Sequence, residues 1–382
     1  MKTFSFKSDK KGLADALMKA KAIAPQIAAL FAAPGFFRER KDIEKACADA
    51  GINIVGCSTA GEISADGVSD DSFSIVAMHF DATDVKVARA QVTGAESSRQ
   101  AGLRIGQDLT APNLSSIFVL SPGLNVNGSE LVRGISDAVG KKVVITGGLA
   151  GDGTSFGQTH TLLNGKVFED HAVAFGLYGD RVRVKSGSRG GWKPFGPVRR
   201  VTKAKGNVLF ELDGKPALKL YKEYLGDKAA DLPASGLLYP FAILREEDRQ
   251  ETGLIRTILD VDHKAESLTM AGDLPQGSLV SLMYADTDSL VDGAGEAAEE
   301  ASMKGRKGNS ATLLVSCVGR KIIMGGSVDE EVEAVMHAIG KNSAFAGFYS
   351  YGEICPFSET GFSELHNQTM TITHISEEDK AA

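Results

Sequence analysis

Three turns that pair a glycine with an acid contain the residues of this chain best suited to chemistry. They are Gly61-Glu62, Gly151-Asp152 and Gly352-Glu353, and Ser58 and Thr59 precede the first of them. Glycine lets backbone N–H groups approach a ligand closely, and the neighbouring carboxylate can bind an ammonium group. An amino acid needs both features, so we expect these turns to contribute to a small-molecule site. The alternative is that the three acids bond their own turns or pair with a buried arginine.

A second group of polar and aromatic residues lies near the C-terminus among apolar strands. It comprises Tyr349, Tyr351, His366 and Asn367. The carboxamide of Asn367 can form two hydrogen bonds with a ligand. Convergence of aromatic and polar groups is the usual pattern of a ligand site, so we expect the site here, with Trp192 as a cap. The alternatives are a buried network behind the last strand, and a tryptophan that only closes the first domain.

Two arginines lie in or beside apolar segments, Arg256 and Arg320. Arginine is almost never fully buried without a partner. We expect that partner to be Glu353 or the carboxylate of a ligand.

The four cysteines are Cys47, Cys57, Cys317 and Cys355, and no two of them form a C-x-x-C pair. This spacing indicates neither a zinc site nor a thioredoxin-type site. Core packing is the favoured interpretation. The alternative is a hydrolase-type enzyme that uses Cys57 or Cys317 with His366.

The seven histidines include no H-x-x-x-H pair and no covalent haem attachment motif, so no metal site is predicted. A non-covalent haem needs one axial histidine, for which His366 and His160 are the candidates. We expect no cofactor, with haem as the alternative.

These residues lie on a unit that occurs three times: apolar strand, loop, amphipathic helix, second apolar strand and glycine-acid turn. The strand, helix and second strand are expected at 26–31, 38–50 and 52–58, at 116–121, 129–139 and 143–146, and at 312–317, 329–339 and 344–350. Strands 73–80 with 85–92, and 172–178 with 182–185, are expected to form hairpins because short polar turns separate them.

The repeated unit predicts an α/β (mixed α+β) fold, in which helices cover mixed sheets. We expect two domains, at 1–205 and 237–376. A connecting helix and linker are expected at 206–236, because Pro216 and Gly226 bracket a helical pattern. Residues 377–382 are expected to form a frayed, charged tail.

Composition and charge exclude several classes of protein. The net charge is −7 and the pI about 5.6, whereas nucleic-acid binding needs a cationic face. The N-terminal residues do not form a signal peptide, and no apolar run approaches a membrane span. We therefore expect a cytoplasmic protein with reduced thiols, with neither nucleic acid nor membrane as a partner.

The ordered set of motifs resembles the FIST family. Residues 56–63 and 147–152 resemble its N-terminal signature, Pro216-Ala217-Leu218 with Tyr221 resembles its inter-domain stretch, and 348–354 with 365–370 resemble its C-terminal signature. The similarity covers nearly the whole chain in the expected order.

The resemblance implies a sensory module. Bacterial FIST proteins are linked to chemoreceptors, histidine kinases or diguanylate cyclases, and amino acids are proposed ligands. Some members bind haem and respond to nitric oxide, and eukaryotic relatives carry an F-box. We therefore expect a non-enzymatic, ligand-binding sensor that signals through a separate protein such as a histidine kinase or chemoreceptor. The alternatives are a haem-binding nitric-oxide sensor, the thiol hydrolase above, and a pure adaptor.

Overall fold

The computed structural model describes residues 1–247, 249, 251–303, 305, 308–357 and 361–378, except for the side chain of residue 251. The described chain consists of three similar units and one insertion. Short 3-10 helices connect several elements, at Lys10–Gly12, Ala95–Ser97, Gly226–Asp231, Ala234–Leu238 and Gly325–Ser327.

The first unit alternates strands and helices from the N-terminus. Its elements are β1 (Lys2–Ser8), α1 (Leu13–Lys21), β2 (Ile27–Ala32), α2 (Pro34–Arg38), α3 (Arg40–Ala50), β3 (Ile54–Ser58), β4 (Glu62–Ser64), β5 (Gly67–Ser69) and β6 (Phe73–His79). Gly51 ends α3 with a φ of 63°, a left-handed conformation that glycine adopts without a steric penalty.

The second unit repeats this order. Its elements are β7 (Asp84–Gln91), α4 (Ser98–Leu109), β8 (Leu114–Ser121), α5 (Gly128–Val139), β9 (Val144–Leu149), β10 (Thr161–Leu163), β11 (Lys166–Phe168) and β12 (His171–Tyr178). The side chain of Asn127 caps α5 by accepting a hydrogen bond from the backbone of Glu130.

The third unit begins with β13 (Val182–Arg189) and is then interrupted by an insertion, residues 190–286. The elements of the insertion are β14 (Lys193–Lys205), β15 (Val208–Leu212), β16 (Lys215–Pro216), α6 (Ala217–Leu225), β17 (Phe241–Leu244), β18 (Glu251–Arg256), β19 (Ile258–Asp262), β20 (Ser267–Met270) and β21 (Leu279–Tyr284). These strands form one eight-stranded sheet, ordered β18-β17-β21-β14-β15-β20-β19 with β16 beside β15.

The third unit resumes after the insertion. Its elements are α7 (Thr287–Ala301), β22 (Ser310–Cys317), α8 (Val318–Met324), α9 (Val328–Ile339), β23 (Ser343–Ser350), β24 (Gly352–Pro356), β25 (Ser363–His366) and β26 (Met370–Glu377). A capping box between Asp286 and Ser289 starts α7.

Each unit contributes the centre of a six-stranded mixed sheet, and the three units exchange hairpins in a cycle. The sheet orders are β1-β6-β2-β3-β10-β11, β25-β24-β9-β8-β12-β7 and β13-β26-β22-β23-β4-β5. The central pairs β2–β3, β8–β9 and β22–β23 are parallel. Beside each pair lies a hairpin from another unit, because β4 pairs with β23, β10 with β3, and β24 with β9. The three units therefore form one interlocked module.

The inner faces of the three sheets enclose a common core. On β2, the side chains of Ile27, Ala29 and Phe31 belong to this core, whereas the alternate residues pack against the outer helices. The ring of Phe31 lies 4.7 Å from that of Phe348 and 6.5 Å from that of Phe118, measured between centroids, so one ring from each unit meets there. Burial on both faces explains the continuous apolar runs that mark these strands in the sequence.

The predicted mixed α/β class and the three strand-helix-strand units are confirmed. The two predicted hairpins are wrong. β6 pairs with β1 and β2, and β7 pairs with β12, so the short turn between β6 and β7 carries the chain from one sheet to another. The turn between β12 and β13 does the same. Local turn chemistry cannot show that both edges of β6 are already occupied within its own unit.

Residues 206–236 contain more than a connecting helix, because β15, β16 and the two 3-10 helices accompany α6. The apolar side chains of α6, including Leu218 and Tyr221, are buried in the core of the insertion. The division into domains at residues 205 and 237 stays a prediction. Two of the six-stranded sheets and the eight-stranded sheet contain strands from both sides of this division.

The predicted frayed tail starts too early. Glu377 is the last residue of β26, and its buried carboxylate accepts hydrogen bonds from the backbone of Asp81 and Ala82 and from the hydroxyl of Thr83. These bonds order the end of the strand. Residues 379–382 lie outside the described residues. None of the described helices combines the length and the apolar character needed to cross a membrane.

Candidate functional site

The three glycine-acid turns meet at the ends of the central parallel strands. The backbone N–H of Gly151 donates to the carbonyl of Ser58 at 2.9 Å, Tyr351 donates to Leu149 at 3.2 Å, and Ala60 donates to Tyr349 at 2.8 Å. Each turn is thus bonded to the turn of another unit. The carboxyl ends of strands are where open α/β sheets usually place ligands, but here the turns satisfy one another.

Glu62 is held by groups of the first unit. Its carboxylate accepts hydrogen bonds from the hydroxyl of Thr59, from the backbone of Ser72 at 3.0 Å and from the Ser72 hydroxyl at 2.8 Å. Ser58 is equally occupied, because its hydroxyl accepts from the backbone of His160 at 2.9 Å. Burial raises the pKa of Glu62 to about 7, although these hydrogen bonds oppose the shift.

Glu353 repeats the arrangement in the third unit. Ser350, three residues earlier, donates to its carboxylate at 2.6 Å, and the backbone and hydroxyl of Thr369, immediately before β26, each donate at 3.1 Å. Burial raises the pKa of Glu353 to about 8 against these hydrogen bonds. The carboxylates of Glu62 and Glu353 are therefore satisfied by groups of their own units, one in the turn and one just before a later strand.

The carboxylate of Asp152 has a different set of hydrogen-bond donors from those of Glu62 and Glu353. Its carboxylate accepts the backbone N–H groups of Gly157 and Gln158 at 2.8 Å each, and the hydroxyl of Tyr351. Burial tends to raise its pKa, but these hydrogen bonds prevail and lower it. The ring of Tyr351 stacks on Phe156 with 4.6 Å between centroids. Asp152 thus fastens a loop of the second unit to the third unit.

Beside these turns lies a small cavity of about 230 Å³, lined among others by Thr59, Glu62 and Asp152 with Asp70 and Arg38. Both of its buried carboxylates already have their hydrogen-bond donors. Among the described residues that line this cavity, no buried side-chain polar atom lacks a partner.

Arg320 and Tyr349 form a second buried network, around an acid that the sequence analysis did not single out. The guanidinium of Arg320 donates to Glu331 at 2.7 and 3.1 Å, and Tyr349 donates to the other carboxylate oxygen at 2.6 Å. Arg320, Glu331 and Tyr349 are all fully buried. The predicted partner of Arg320, Glu353 or a ligand, is therefore wrong, and Glu331 is the partner. Helical spacing in the sequence could have indicated that Glu331 is buried, because Val328, Glu331 and Val335 lie on one face of α9.

The described hydrogen-bond partners of Arg256 are carbonyl groups rather than the carboxylate of Glu353. Its guanidinium donates to the carbonyls of Asp273, Ile255 and Leu365 at 2.8, 3.0 and 3.2 Å. Complete burial lowers its pKa to about 10. Through Leu365 it supports the strand that carries His366.

The remaining predicted residues, Trp192 and His366, line a groove between the third unit and the insertion. It consists of two adjoining cavities of about 390 and 350 Å³ that share Ser188, Arg189 and Gly253. The first is further lined by Glu300, Phe357 and His366, among others. The second is further lined by Trp192, Asp292 and Glu296, among others. We call this site the α7 groove, since one face of α7 runs along both cavities.

Close backbone contact allows the groove to form. A Cβ at Gly187 would lie 2.0 Å from the carbonyl oxygen of Ala297, and a Cβ at Gly293 would lie 2.7 Å from the backbone nitrogen of Gly191. Glycine at these positions lets β13 and the following segment lie directly against α7. The indole N–H of Trp192 donates to the carbonyl of Gln368 at 2.8 Å, which fixes the ring.

His366 lines this groove and has a buried acceptor atom without a partner among the described residues. Only 3% of the residue is exposed, and its Nε2 lies 3.1 Å from the carbonyl oxygen of Cys355. A carbonyl only accepts, so Nε2 carries the proton and Nδ1 is an acceptor. Among the described residues, Nδ1 has no hydrogen-bond partner, and neither has the hydroxyl of Ser188. Burial, helped by the charge of Arg256, lowers the pKa of His366 to about 4.

Asn367 follows His366 and is also buried, with Oδ1 unpartnered among the described residues. The structure thus brings Trp192 and His366 to one groove. Of the other predicted residues, Arg320 and Tyr349 belong to the Glu331 network, Arg256 bonds carbonyl groups, Asn367 is buried beside His366, and the rest lie at the interlocked turns. Ser188, Arg189 and the acids of α7 were not predicted. The helical spacing of Asp292, Glu296 and Glu300 was a usable signal.

A larger cavity, of about 670 Å³, is lined by apolar and aromatic side chains such as Phe195, Tyr239, Tyr284 and Ile322. It contains none of the predicted site residues and few polar groups. Its lining residues contribute no buried polar atom that lacks a partner among the described residues, whereas the α7 groove is lined by two residues that have such an atom, Ser188 and His366.

The cysteines lack the features of activated nucleophiles. Cys57 and Cys317 are buried, and burial raises the pKa of both thiols. A reactive cysteine needs a lowered pKa and access to substrate. The Nε2 of His366 is engaged with the carbonyl of Cys355 rather than with a thiol.

The two candidate haem ligands are both buried and contact other protein groups. Nε2 of His366 is hydrogen-bonded to the carbonyl of Cys355. The ring of His160 stacks on Phe37 at 5.5 Å in the protein interior. No group of three or more metal-ligating side chains occurs in the part of the chain that the structure describes.

Comparison with known proteins identifies the family. A model of the FIST N domain matches residues 26–215, and a model of the FIST C domain matches residues 217–356. An uncharacterized protein of Methanocaldococcus jannaschii is 24% identical over 330 residues, which are 79% of this chain and 60% of the relative. An uncharacterized protein of Mycobacterium tuberculosis is 27% identical over 242 residues, 60% of this chain and 59% of the relative.

The matched region thus spans about 60% of the length of these relatives. Among solved structures, a cyanuric acid hydrolase from A. caulinodans aligns over 99% of both chains with a TM-score of 0.38 and 9% identity.

Proposed function

The chain belongs to the FIST family, whose domains are sensory and signal-transduction domains, and we propose that it binds a small polar ligand in the α7 groove and signals through a separate protein. The proposal includes a cytoplasmic location and the absence of catalytic activity. The partner would be a signalling protein of the histidine kinase, chemoreceptor or cyclase type.

One observation carries the proposal: the groove is lined by two polar residues that have unsatisfied atoms, Nδ1 of His366 and the hydroxyl of Ser188. A buried polar atom without a partner costs about 1–3 kcal/mol. A ligand with hydrogen-bond donors would remove that cost on binding. The neighbouring glycine-acid turns lack this feature, because their acids are already bonded.

The position of the groove supports a sensory role. One wall belongs to the third unit, through His366 and α7, and the other belongs to the insertion, through Gly253 and Ile255. A ligand that contacts both walls would stabilise one relative arrangement of the module and the insertion. A partner protein that binds the module or the insertion would respond to the ligand if the partner prefers one of these arrangements.

A thermal-shift screen of small metabolites tests the proposal, since a ligand that binds only the folded protein raises its melting temperature. We expect a hit whose shift is reduced in Ser188→Ala. This hydroxyl has no hydrogen-bond partner among the residues that the structure describes, so the variant should fold normally. Ser129→Ala is the matched control, because the Ser129 hydroxyl is also buried and unpartnered but does not line the groove.

Two results would contradict the proposal. One is a set of hits that Ser188→Ala and Ser129→Ala affect equally, which would place the ligand elsewhere. The other is the absence of any stabilising metabolite combined with measurable turnover of one of them, which would favour an enzyme.

A further inference from the structure

The side chains that line the α7 groove carry an excess of negative charge. Asp292, Glu296 and Glu300 line it from α7, whereas Arg189 is the basic residue among its described lining residues. Arg189 is already paired, with Glu300 and, at 3.8 Å, with Glu296. A ligand carboxylate would have to compete with two acids for this one cation. The groove therefore disfavours an anion and favours a cation.

The neutral polar groups of the groove lead to the same ligand class. Nδ1 of His366 is an acceptor because Nε2 donates to the carbonyl of Cys355. The ring stays uncharged at neutral pH, since burial holds its pKa near 4. An acceptor that has lost contact with water needs a donor from the ligand. An ammonium group has three donors and no acceptor, which matches this requirement.

The shape of the groove favours an elongated ligand. The three acids are spaced four residues apart on α7, which places successive Cα atoms about 6 Å apart along the helix axis. The rings of Trp192 and Phe357 lie in the two cavities. Aromatic faces attract organic cations, and they also pack against methylene chains.

We infer that the α7 groove binds a linear aliphatic diamine or polyamine, with its ammonium groups facing Asp292, Glu296, Glu300 and His366 and its methylene chain between the aromatic rings. This inference rests on the proposed function, because it names the ligand class of the same groove. It differs from the amino-acid ligand expected from the sequence, which would need a free donor for its carboxylate.

Calorimetric titration of the full-length protein with spermidine and 1,5-diaminopentane tests the inference, with glutarate as a dicarboxylate of matched length. We expect saturable binding of the amines and no binding of glutarate. Glu296→Gln should weaken amine binding about two- to fivefold, since one surface charge contact contributes up to about 1 kcal/mol. Ser188→Ala should also weaken it.

Glu299→Gln is the matched control for Glu296→Gln. Both residues are exposed on α7 and both substitutions change the net charge equally, but Glu299 does not line the groove. Equal weakening by the two variants would show diffuse attraction to an acidic surface and would overturn the inference. Binding of glutarate but not of the amines, sensitive to Ser188→Ala, would overturn the ligand class and leave the proposed function intact. Failure of every metabolite to bind in the groove would overturn both.

Discussion

The buried carboxyl groups of Glu62 and Glu353 have the same arrangement of hydrogen-bond donors. In each case a hydroxyl three residues earlier and a Ser or Thr just before the strand that follows the hairpin hold a buried carboxyl group. The third acid, Asp152, is tied to a different loop and to Tyr351. The glycine-acid turns were recognisable from the sequence, but the equivalence of Glu62 and Glu353 depends on hydroxyl partners up to 16 residues away.

The raised pKa of Glu353 predicts a specific pH dependence of stability. The folded protein holds this proton up to about pH 8, whereas the unfolded chain releases it near pH 4.5. Stability is therefore highest below the unfolded value and falls as pH rises through the folded value. Between pH 7 and 8.5 we expect Glu353 to reduce the free energy of unfolding by about 1 kcal/mol.

Urea denaturation at several pH values measures this effect. Glu353→Gln keeps the shape of the side chain and cannot ionise, so its stability should fall less over this range than that of the wild type. Glu330→Gln, an exposed residue, should behave as the wild type does. Parallel pH profiles for wild type and Glu353→Gln would refute the assignment.

The buried pair Arg320–Glu331 makes a second prediction at the residue scale. Glu331→Ala leaves a fully buried guanidinium without its carboxylate, which should cost about 3–5 kcal/mol of unfolding free energy. Its neighbour Glu330 is exposed, so Glu330→Ala should change stability by less than about 0.5 kcal/mol. Chemical denaturation compares the two, and a similar small change in both would mean that the pair contributes little.

At the scale of elements, the strands and helices of the three repeated units were predictable from apolar periodicity and from glycines at helix ends. Strand pairing was not. The turn between β6 and β7 looks like a hairpin turn, but the edges of β6 are taken by β1 and β2. The α7 groove could not be predicted from the sequence either, because its walls come from β13, α7, β18 and β25, which are far apart in sequence. Trp192 and His366 could be suspected individually, but not their proximity.

Two glycines of α7 give a controlled test of how closely the elements around the groove must pack. A Cβ at Gly293 would lie 2.7 Å from the backbone nitrogen of Gly191, whereas a Cβ at Gly295 would meet only the Cβ of Ala334 at 3.9 Å. Both positions are inside the helix, so the gain in helix propensity is the same, up to about 1 kcal/mol. Gly293→Ala should be less stable than Gly295→Ala by about 1–3 kcal/mol.

Thermal denaturation compares these variants. Gly293→Ala should also weaken ligand binding, since a shift of α7 away from Gly191 distorts the groove. Equal stability of Gly293→Ala and Gly295→Ala would contradict the close contact between α7 and the segment after β13.

At the scale of the whole molecule, the exchanged hairpins make the three units depend on one another. β4 of the first unit completes the third sheet, and β24 of the third unit completes the second sheet. The repeat was detectable in the sequence, but the exchange was not, because short strands carry no signal of their partner. Two family models divide the chain near residue 216, yet the hydrogen bonds cross that division.

This interlocking predicts cooperative unfolding of the module. Amide hydrogen exchange should give opening free energies that agree within about 1 kcal/mol for the slowest amides of β9 and β23, because β24 completes the sheet of β9 and β4 completes the sheet of β23, each from the other half of the chain. Exposed amides of the insertion provide an internal reference for local opening. Clearly separate opening free energies for the two halves of the sequence would show independent domains.

The most direct test of the central claim uses the single tryptophan of the chain, which lines the α7 groove. Titration of the protein with any ligand that raises its melting temperature should change the Trp192 emission saturably, with the same dissociation constant as calorimetry. Ser188→Ala should weaken both signals to the same extent. Saturable calorimetric binding with unchanged Trp192 emission, and with no effect of Ser188→Ala, would contradict a ligand site in this groove.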